Sequence, residues 1–420
     1  MPGHKGVGNV EKYDLTEVAG ADSLYEASGI IKESEENASR LFDSITLYST
    51  EGSSLAIRAM LYLALLCRGN GKKATVLAAR NAHKVFVSAM ALLDFDVEWL
   101  MADGASYLSC AITKEDVAKK LADMEEKPLA VYITSPDYLG NVADVEGIAR
   151  VCHDEGVMLL VDNAHGAYLA FTEPSQHPIA LGADMCADSA HKTLPCLTGA
   201  AYLHIASTVP KEVCERAKSA LSLFGSTSPS YLILASLDKA NAYLEDGYKE
   251  KLANTITKLT ALTERLNAMG YETVGNEPMK LTVMPKSYGY TGYELADILA
   301  KSNIVCEFAD PDFTVFMPTP STTDEELLRL ENALASIERR EAITNTAPVI
   351  TSAERVISPR EAVLSASEYV EVANAEGRVL ADITVGCPPA VPIVVSGEKI
   401  SKDAIEAFGY YGISHCSVVK

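Results

Sequence analysis

The chain has 420 residues, of which 48% are hydrophobic, 22% are charged and 7% are aromatic. This length predicts one large core with a smaller companion domain, and the balance of residue types excludes the disordered, collagen-like and coiled-coil classes. The net charge of −21 argues against binding to nucleic acid or to an anionic membrane surface, because like charges repel.

The first half of the chain alternates predicted strands and helices. In chain order we predict a strand at Thr75–Ala78, a helix capped by Thr113 and Asp116, a strand at Ala130–Ile133, a helix through Val145, Ile148 and Cys152, a strand at Val157–Val161 and a strand at Ala200–His204. Such alternation is typical of an α/β protein with a mostly parallel, doubly wound sheet. Ligands of these sheets bind beyond the carboxyl ends of the strands, so Asp162, directly after Val161, is the first candidate.

The second half of the chain predicts smaller α+β units. They comprise a strand at Leu281–Val283, a helix near Tyr293–Lys301, strands at Ile304–Phe308 and Phe313–Met317, and an amphipathic helix from Thr323. Turn-forming and small residues at 345–358 lead to a last segment, in which Pro388–Pro392 excludes both a helix and a central strand. We predict a large domain at 1–250, a small α+β domain at 251–342 and a C-terminal α+β domain at 343–420.

The familiar nucleotide and metal motifs are absent from the sequence. Gly69–Lys73 lacks the first glycine and the hydroxyl residue of a phosphate-binding P-loop, and no G-x-G-x-x-G follows a predicted strand. HExxH and G-x-S-x-G are also missing. The nine cysteines contain no C-x-x-C pair, which argues against a disulfide framework and a structural zinc site. We therefore predict no metal ligands.

The sequence predicts a cytoplasmic protein. Its longest apolar run, near Ala59–Cys67, is far shorter than the roughly 20 residues that cross a bilayer. No basic and apolar signal segment follows Met1. We expect neither secretion nor membrane insertion.

Lys192 and Asp162 form the first candidate site. A lysine held in the crevice at the strand ends could form a Schiff base with a carbonyl cofactor, although most lysines are simply exposed. Asp162 alone could equally be a helix cap or a metal ligand. Together, the two residues match the needs of pyridoxal phosphate, whose ring nitrogen requires a carboxylate and whose aldehyde requires an amine.

Three further segments could complete such a site. Gly52-Ser53-Ser54 precedes a predicted helix and offers hydroxyl groups and free N–H groups to a phosphate, although it could be only a helix cap. The imidazole of His83 could stack on a flat ring or be purely structural. His165 could support Asp162, contact a substrate or serve the fold alone.

Several strings of the sequence resemble one enzyme family in both order and spacing. They are Met1–Gly6, Arg80–Lys84, Thr134–Gly140, Val161–Gly166, His191–Leu194 and Thr227–Tyr231, with Pro359–Ala362, Pro388–Pro392 and Gly397-Glu398 in the last domain. The family is that of the bacterial ornithine/lysine/arginine decarboxylases, which are pyridoxal-phosphate enzymes of the aspartate-aminotransferase fold, or fold type I. The resemblance covers nearly the whole chain.

The resemblance implies a role for each candidate residue. Lys192 would bind the cofactor covalently, Asp162 would pair with the pyridinium nitrogen, and His83 would stack on the ring. Ser53, Ser54 and Ser189 would bind the phosphate with His191 beside it, and His165 would lie near the substrate. Thr227 would reach the phosphate of the neighbouring subunit, so a homodimer would be the smallest active unit. Lys192 and His191 are the candidates for returning a proton to the substrate, and Lys192 is favoured.

The implied activity is the decarboxylation of arginine, lysine or ornithine to agmatine, cadaverine or putrescine, as in polyamine biosynthesis. The sequence leaves open which of these amino acids is the substrate. Two alternatives also remain open. One is another reaction on the same scaffold, either transamination or a retro-aldol or acyl-transfer step, and the other is a catalytically silent regulatory homologue.

The chain departs from the family pattern at three places. Asp137 stands where the family usually has threonine, and Gly386–Ala390 replaces the usual Pro-Tyr-Pro-Pro-Gly. The family usually carries a further helical segment ahead of the string that here begins at Pro2. We hypothesise that the Asp137 carboxylate changes substrate preference or the protonation of the cofactor, and that the altered loop changes the substrate entrance.

Overall fold

The computed structural model describes residues 11–67, 73–101, 106–383 and 389–420. The string at Met1–Gly6, most of Gly69–Lys73 and the segment Gly386–Pro388 lie outside these ranges. Within the described ranges, no helix combines the length and the apolar character that a membrane crossing requires.

A seven-stranded sheet forms the centre of the molecule. Its strands are β1 Ile45–Ser49, β2 Thr75–Ala79, β3 Asp96–Leu100, β4 Ala130–Thr134, β5 Met158–Asp162, β6 Met185–Asp188 and β7 Ala201–Ile205. Their order is β1-β7-β6-β5-β4-β2-β3, and β7 alone runs antiparallel to both of its neighbours. The predicted α/β class with a mostly parallel sheet is therefore confirmed.

Fourteen α-helices surround the three sheets of the described residues. They are α1 Ile30–Phe42, α2 Gly52–Cys67, α3 Lys84–Leu93, α4 Lys114–Asp123, α5 Val145–Asp154, α6 Ala190–Thr193, α7 Lys211–Cys214, α8 Ala217–Phe224, α9 Tyr231–Glu245, α10 Tyr248–Ala268, α11 Gly292–Ala300, α12 Asp324–Ala335, α13 Pro359–Leu364 and α14 Lys402–Tyr410. The apolar faces of α2, α3 and α8 cover one side of the large sheet, and those of α4 and α5 cover the other. The sheet is thus doubly wound, as predicted.

The β4-α5-β5 unit shows how local sequence builds this sheet. The Asp144 carboxylate accepts the N–H of Gly147 and caps the first turn of α5. Gly156 has φ +68°, which lets the chain leave the helix and enter β5. The parallel register then brings Thr134, at the end of β4, beside Asp162. This unit matches the sequence prediction closely.

Two smaller antiparallel sheets follow the large one. The second sheet has the order β10-β11-β9-β8 and the third the order β12-β14-β13. Their strands are β8 Glu272–Val274, β9 Leu281–Met284, β10 Phe308–Ala309, β11 Thr314–Phe316, β12 Ser367–Glu371, β13 Leu380–Asp382 and β14 His415–Val419. The predicted strand at Ile304–Phe308 is wrong except near Phe308, because β10 begins there, only Glu307 before it bonds to β11, and Val305 is 89% exposed. The division at 250, 342 and 420 stays a prediction.

The C-terminal segment also contacts the loop after β2. Arg80 donates to the carbonyl oxygens of Pro392 at 2.9 Å and Ile393 at 2.8 Å. The backbone N–H of Lys84 donates to the carbonyl of Ala390 at 2.7 Å. Residues 389–392 lie outside helices and strands, as the prolines predict. The loop that carries His83 is therefore held from the far end of the chain.

Candidate active site

Asp162, His165 and Lys192 meet at the carboxyl ends of β5 and β6. Asp162 is the last residue of β5, His165 follows in the next turn, and Lys192 lies in the short helix α6 after β6. Because β5 and β6 are parallel neighbours, both connections leave the same edge of the sheet. Lys192 Nζ lies 2.8 Å from His165 Nε2. The predicted candidates are thus brought into direct contact.

Asp162 is a buried carboxylate with few donors of its own. Tyr132 Oη donates to Oδ2 at 3.2 Å, and the backbone N–H of Ala164 donates to Oδ1 at 3.2 Å. Burial raises the pKa of Asp162 to about 6, although Lys192, the Ala164 N–H and the Tyr132 hydroxyl act in the opposite direction. A cation placed against this carboxylate would stabilise its ionised form.

His165 lies between two lysines. Its Nε2 faces Lys192, and its Nδ1 lies 3.3 Å from Lys280 Nζ. The ring also contacts the edge of Tyr138, with centroids 5.1 Å apart. Burial, followed by the charges of Lys192 and Lys280, holds the pKa of His165 well below its ordinary value. The imidazole is therefore neutral at physiological pH.

Lys280 and Glu277 were not predicted from the sequence. Lys280 directly precedes β9 of the second sheet, and its Nζ forms an ion pair of 2.9 Å with Glu277 Oε2. Both side chains are only 1% exposed. Tyr168 Oη donates to the other oxygen of Glu277 at 3.0 Å. The available signal was a lysine directly beside the apolar run Leu281–Val283, a position where charged residues are rare.

His83 caps helix α3 at the end of the loop after β2. Its Nδ1 accepts the N–H of Val85 at 3.1 Å, so the proton of the neutral ring is on Nε2. Burial, together with Lys192 and Lys84, lowers the pKa of His83 to about 4. The neutral, partly buried ring can lie against a flat aromatic ligand.

The candidate phosphate site is at the start of α2. Ser53 and Ser54 belong to the first turn of this helix, where backbone N–H groups lack helical partners. Ser189 Oγ donates to Ser53 Oγ at 2.8 Å, which joins the end of β6 to this turn. His191 donates from Nδ1 to the carbonyl of Ala200 at 2.9 Å, so its Nε2 faces away from that bond. The three predicted serines and His191 thus lie on connected segments.

Thr227 lies apart from these contacts, whereas the side chain of Asp137 is engaged within its own loop. Thr227 is exposed in the segment between α8 and α9, and its expected role toward a neighbouring subunit stays a prediction. The buried Asp137 carboxylate accepts the N–H groups of Leu139 and Asn141, both at 2.9 Å, and the side-chain amide of Asn141 at 2.8 Å. This departure from the family pattern therefore shapes its own loop. Its hypothesised effect on substrate preference also stays a prediction.

A second buried cluster surrounds Asp188, at the end of β6. Its Oδ2 accepts Nε2–H bonds from His177 at 3.1 Å and His204 at 3.2 Å, and its Oδ1 accepts the Asn163 amide at 2.7 Å. Burial acts to raise the pKa of Asp188, but the two imidazoles outweigh it and lower this pKa below its ordinary range. The reactive side chains of His177, Asp188 and His204, with Cys186, lie within 4.8 Å of one another. The sequence prediction of no metal ligands did not anticipate this grouping, whose signal was polar residues inside apolar strands.

The residues of the crevice fit pyridoxal phosphate. Four kinds of group line the crevice. They are the amine of Lys192, the buried carboxylate of Asp162, the neutral ring of His83 and the serine hydroxyl groups at the start of α2. These match the aldehyde, the ring nitrogen, the ring face and the phosphate of that cofactor, respectively. Asp162 carries the test, because burial raises its pKa despite the charge of Lys192, and an incoming cation would further stabilise the ionised carboxylate.

The chain is similar to known proteins along most of its length. The model of the Orn/Lys/Arg decarboxylase major domain matches residues 7–273, and the model of the corresponding C-terminal domain matches residues 341–415. YaaO, an uncharacterized protein of Bacillus subtilis, is 32% identical over 94% of this chain and 84% of its own. An arginine decarboxylase of Halalkalibacterium halodurans is 30% identical over 96% of this chain and 87% of its own.

The fold is also similar to that of a solved enzyme. The crystal structure of the lysine decarboxylase LdcF from Francisella novicida gives a TM-score of 0.82 and covers 100% of this chain and 78% of its own, at 19% identity. At this identity the likeness concerns the fold. It confirms the predicted fold type I architecture, with a large mostly parallel sheet and smaller antiparallel sheets.

Proposed function

The chain belongs to the Orn/Lys/Arg decarboxylase family, and from this premise we propose that it binds pyridoxal phosphate and decarboxylates a basic amino acid, arginine first among the candidates. The observation that carries the proposal is the contact of Lys192 with His165 beside the buried Asp162. Arginine is favoured because a relative of that activity matches over nearly the whole chain. The products would be agmatine and CO₂.

Each residue of the crevice has a defined task in this proposal. Pyridoxal phosphate, when bound, supplies an electron sink for the electron pair that departing CO₂ leaves behind. Asp162 would hold a proton at the ring nitrogen, His83 would pack on the ring, and Ser53, Ser54 and Ser189 would bind the phosphate. Lys192 would hold the cofactor through its amine, and the same amine would be available for proton transfer when a substrate occupies the crevice.

Proton return to Cα of the substrate falls to a group in the crevice. Lys192 is the first candidate, because it becomes a free amine at the stage when the proton is needed. His191 is the second, with Nε2 available while Nδ1 is held by Ala200. His165, in contact with Lys192, would transmit proton changes between the lysine and its surroundings.

A carboxylate near the crevice supports a cationic substrate. Tyr138 lies with its ring centroid 6.0 Å from Lys192 Nζ, and its hydroxyl donates to Glu307 Oε1 at 3.3 Å. The side chain of Tyr138 thus lies between Glu307 and the amine of Lys192. A basic amino acid with its α-amine placed beside Lys192 could direct its distal guanidinium or ammonium group toward this carboxylate.

We further propose that the active form is a cytoplasmic homodimer. Thr227, exposed in one protomer, would reach the phosphate site of its partner, as the family resemblance implies. The relevant substrate is small and basic, and neither nucleic acid nor membrane is expected as a partner at a net charge of −21.

The test is CO₂ capture from carboxyl-labelled arginine, lysine and ornithine with the purified full-length chain and added pyridoxal phosphate. We expect CO₂ and the matching amine from one of the three, with arginine giving the highest kcat/KM. Lys192→Ala serves as the control and should lose the activity by at least about 1,000-fold while keeping its fold, since the covalent contact is gone.

Product analysis separates the alternatives. A keto acid without CO₂ would indicate transamination, and an aldehyde or acyl product would indicate the retro-aldol or acyl-transfer reaction. Cofactor binding without turnover of any basic amino acid would support a silent homologue. Each of these outcomes would contradict the proposed decarboxylation.

A further inference from the structure

Lys280 contacts three groups through its Nζ. Its Nζ lies 2.9 Å from Glu277 Oε2, donates to the carbonyl oxygen of Asp137 at 3.1 Å and lies 3.3 Å from His165 Nδ1. The first is an anion and the second can only accept. The ion pair with the buried Glu277 favours the ammonium form of Lys280 over the neutral amine.

The ammonium group of Lys280 determines which nitrogen of His165 carries the proton. An ammonium has three donors and no lone pair, so the nitrogen it faces must be an acceptor. His165 Nδ1 therefore lacks a proton. Burial, with the charge of Lys280, keeps this imidazole neutral, and a neutral imidazole has a single N–H, which must then be on Nε2.

The Nε2–H group of His165 in turn faces Lys192 Nζ at 2.8 Å. A hydrogen bond at this distance needs an acceptor, and an amine has one lone pair whereas an ammonium has none. We propose that Lys280 is a positioning residue that fixes the tautomer of His165 and thereby keeps Lys192 a neutral, nucleophilic amine. This inference adds a residue to the proposed function. It rests on that function only in taking the neutral amine of Lys192 as the group that reacts with the cofactor.

The other titratable groups around this chain of contacts are few and fixed. Asp162 and His83 are close enough to Lys192 for its charge to act on both, and His83 and His191 act on His165. Tyr138 packs against the ring of His165, and Tyr168 holds Glu277. Asp162 favours an ammonium on Lys192, whereas Lys280 and the His165 N–H oppose it.

The experiment measures the titration of Lys192 itself. The cofactor-free full-length chain is labelled with trace acetic anhydride from about pH 6 to about pH 11, a range that brackets the ordinary lysine pKa. Peptide mapping then gives the extent of acetylation at Lys192, because only the neutral amine reacts. The readout involves neither the cofactor nor substrate turnover.

We expect Lys280→Met to raise the labelling midpoint of Lys192 by at least about one pH unit, which is about a tenfold loss of reactivity below both midpoints. The variant removes one cation, frees the His165 tautomer and leaves Glu277 unpaired. Lys280→Arg retains a cation with N–H donors and should stay within about half a unit of the wild type. The double variant Lys280→Met with Glu277→Gln leaves no unpaired buried charge, so it keeps the fold and should still show an upward shift.

Unchanged midpoints in both Lys280→Met and the double variant would overturn the inference. So would acetylation of Lys280 at a lower pH than Lys192, which would reverse the two roles. A purely structural Lys280 would lower the free energy of unfolding without moving the midpoint. Absence of CO₂ release together with the expected shift would remove the proposed function and leave the inference standing, so the two failures are distinguishable.

Discussion

Asp162 and Asp188 end two neighbouring parallel strands, and both are buried, with 2% and 0% of their surface exposed. Their surroundings differ. Asp188 accepts four side-chain hydrogen bonds, two from imidazoles, one from an amide and one from the Cys186 thiol, and its pKa falls below the ordinary range. Asp162 accepts one phenol and one backbone N–H, and burial raises its pKa to about 6.

The difference separates a carboxylate that serves the fold from one prepared for a ligand. Asp188 has its donors supplied by the protein, so its negative charge is stabilised before any ligand arrives. Asp162 carries a charge that the protein alone does not balance. A ligand with a cationic nitrogen would therefore gain binding energy at Asp162 and none at Asp188.

The largest expected effect comes from removing Asp188, the carboxylate whose oxygens already accept hydrogen bonds from neighbouring side chains. Asp188→Ala leaves two imidazole N–H groups and one amide without an acceptor inside the core, and we expect a loss of about 3–5 kcal/mol in the free energy of unfolding. Urea unfolding measures it. Asp188→Asn keeps one carbonyl acceptor and should lose clearly less. An alanine variant within about 1 kcal/mol of the wild type would mean that the cluster contributes little.

The pH dependence of the free energy of unfolding tests the difference between Asp162 and Asp188. Its folded-state pKa of about 6 lies above the ordinary value of 3.8, so the folded protein keeps a proton that the unfolded chain releases between these values. The contribution is full below pH 3.8 and is lost as the pH rises through about 6, amounting to about 3 kcal/mol at 1.36 kcal/mol per unit. Asp188 has the opposite sign, with stability lost only as the pH falls below its ordinary pKa range.

Urea unfolding of the cofactor-free wild type and Asp162→Asn from about pH 4 to about pH 8 measures this contribution as a difference. In the asparagine variant, the free energy of unfolding should lack the decrease that this titration causes as the pH rises. Adding pyridoxal phosphate should abolish the difference or reverse it, because a cation then balances the carboxylate. Parallel curves for the two cofactor-free proteins would contradict the expected titration.

The smallest expected effect comes from removing the hydroxyl of Tyr132, which donates to the Asp162 carboxylate. Tyr132→Phe removes a hydrogen bond of 3.2 Å, which is worth about 0.5–1.5 kcal/mol, and should raise the Asp162 midpoint by up to about one pH unit. Tyr202→Phe is the matched control, since this equally buried hydroxyl has no hydrogen-bond partner among the described residues. The same pH series measures both, and equal shifts would remove the specific role of Tyr132.

Much of the large sheet follows from local sequence. Short apolar runs bounded by turn residues predict β2, β4, β5 and β7 within a residue or two, a capping signal predicts the start of α4, and an amphipathic pattern predicts α12. The antiparallel direction of β7 and its pairing with β1 are set by contacts between distant segments, which periodicity does not encode. For the same reason, the apolar composition of Ile304–Phe308 was misleading, because strand pairing and not composition decides where β10 begins.

The candidate site also contains residues that the sequence predicts and one that it does not. Asp162, His165 and Lys192 were predictable together because each follows a strand of one parallel sheet, and the ends of parallel strands share an edge. Lys280 belongs to the second sheet, and its contact with His165 depends on how two sheets pack. A lysine beside an apolar strand was the only local sign. Packing between sheets is therefore the part of the chemistry that the sequence pattern conceals.

The loop that carries His83 is fastened by residues at the opposite end of the chain. Arg80 bonds to carbonyl groups 312 and 313 positions later, and Lys84 bonds to Ala390. Synthesis runs from the N-terminus, so the ribosome releases the large sheet long before it releases this fastening. The nascent chain thus carries Lys192 and Asp162 with an unanchored histidine loop until residues 390–393 have been synthesised, and the crevice can take its final shape only after that point.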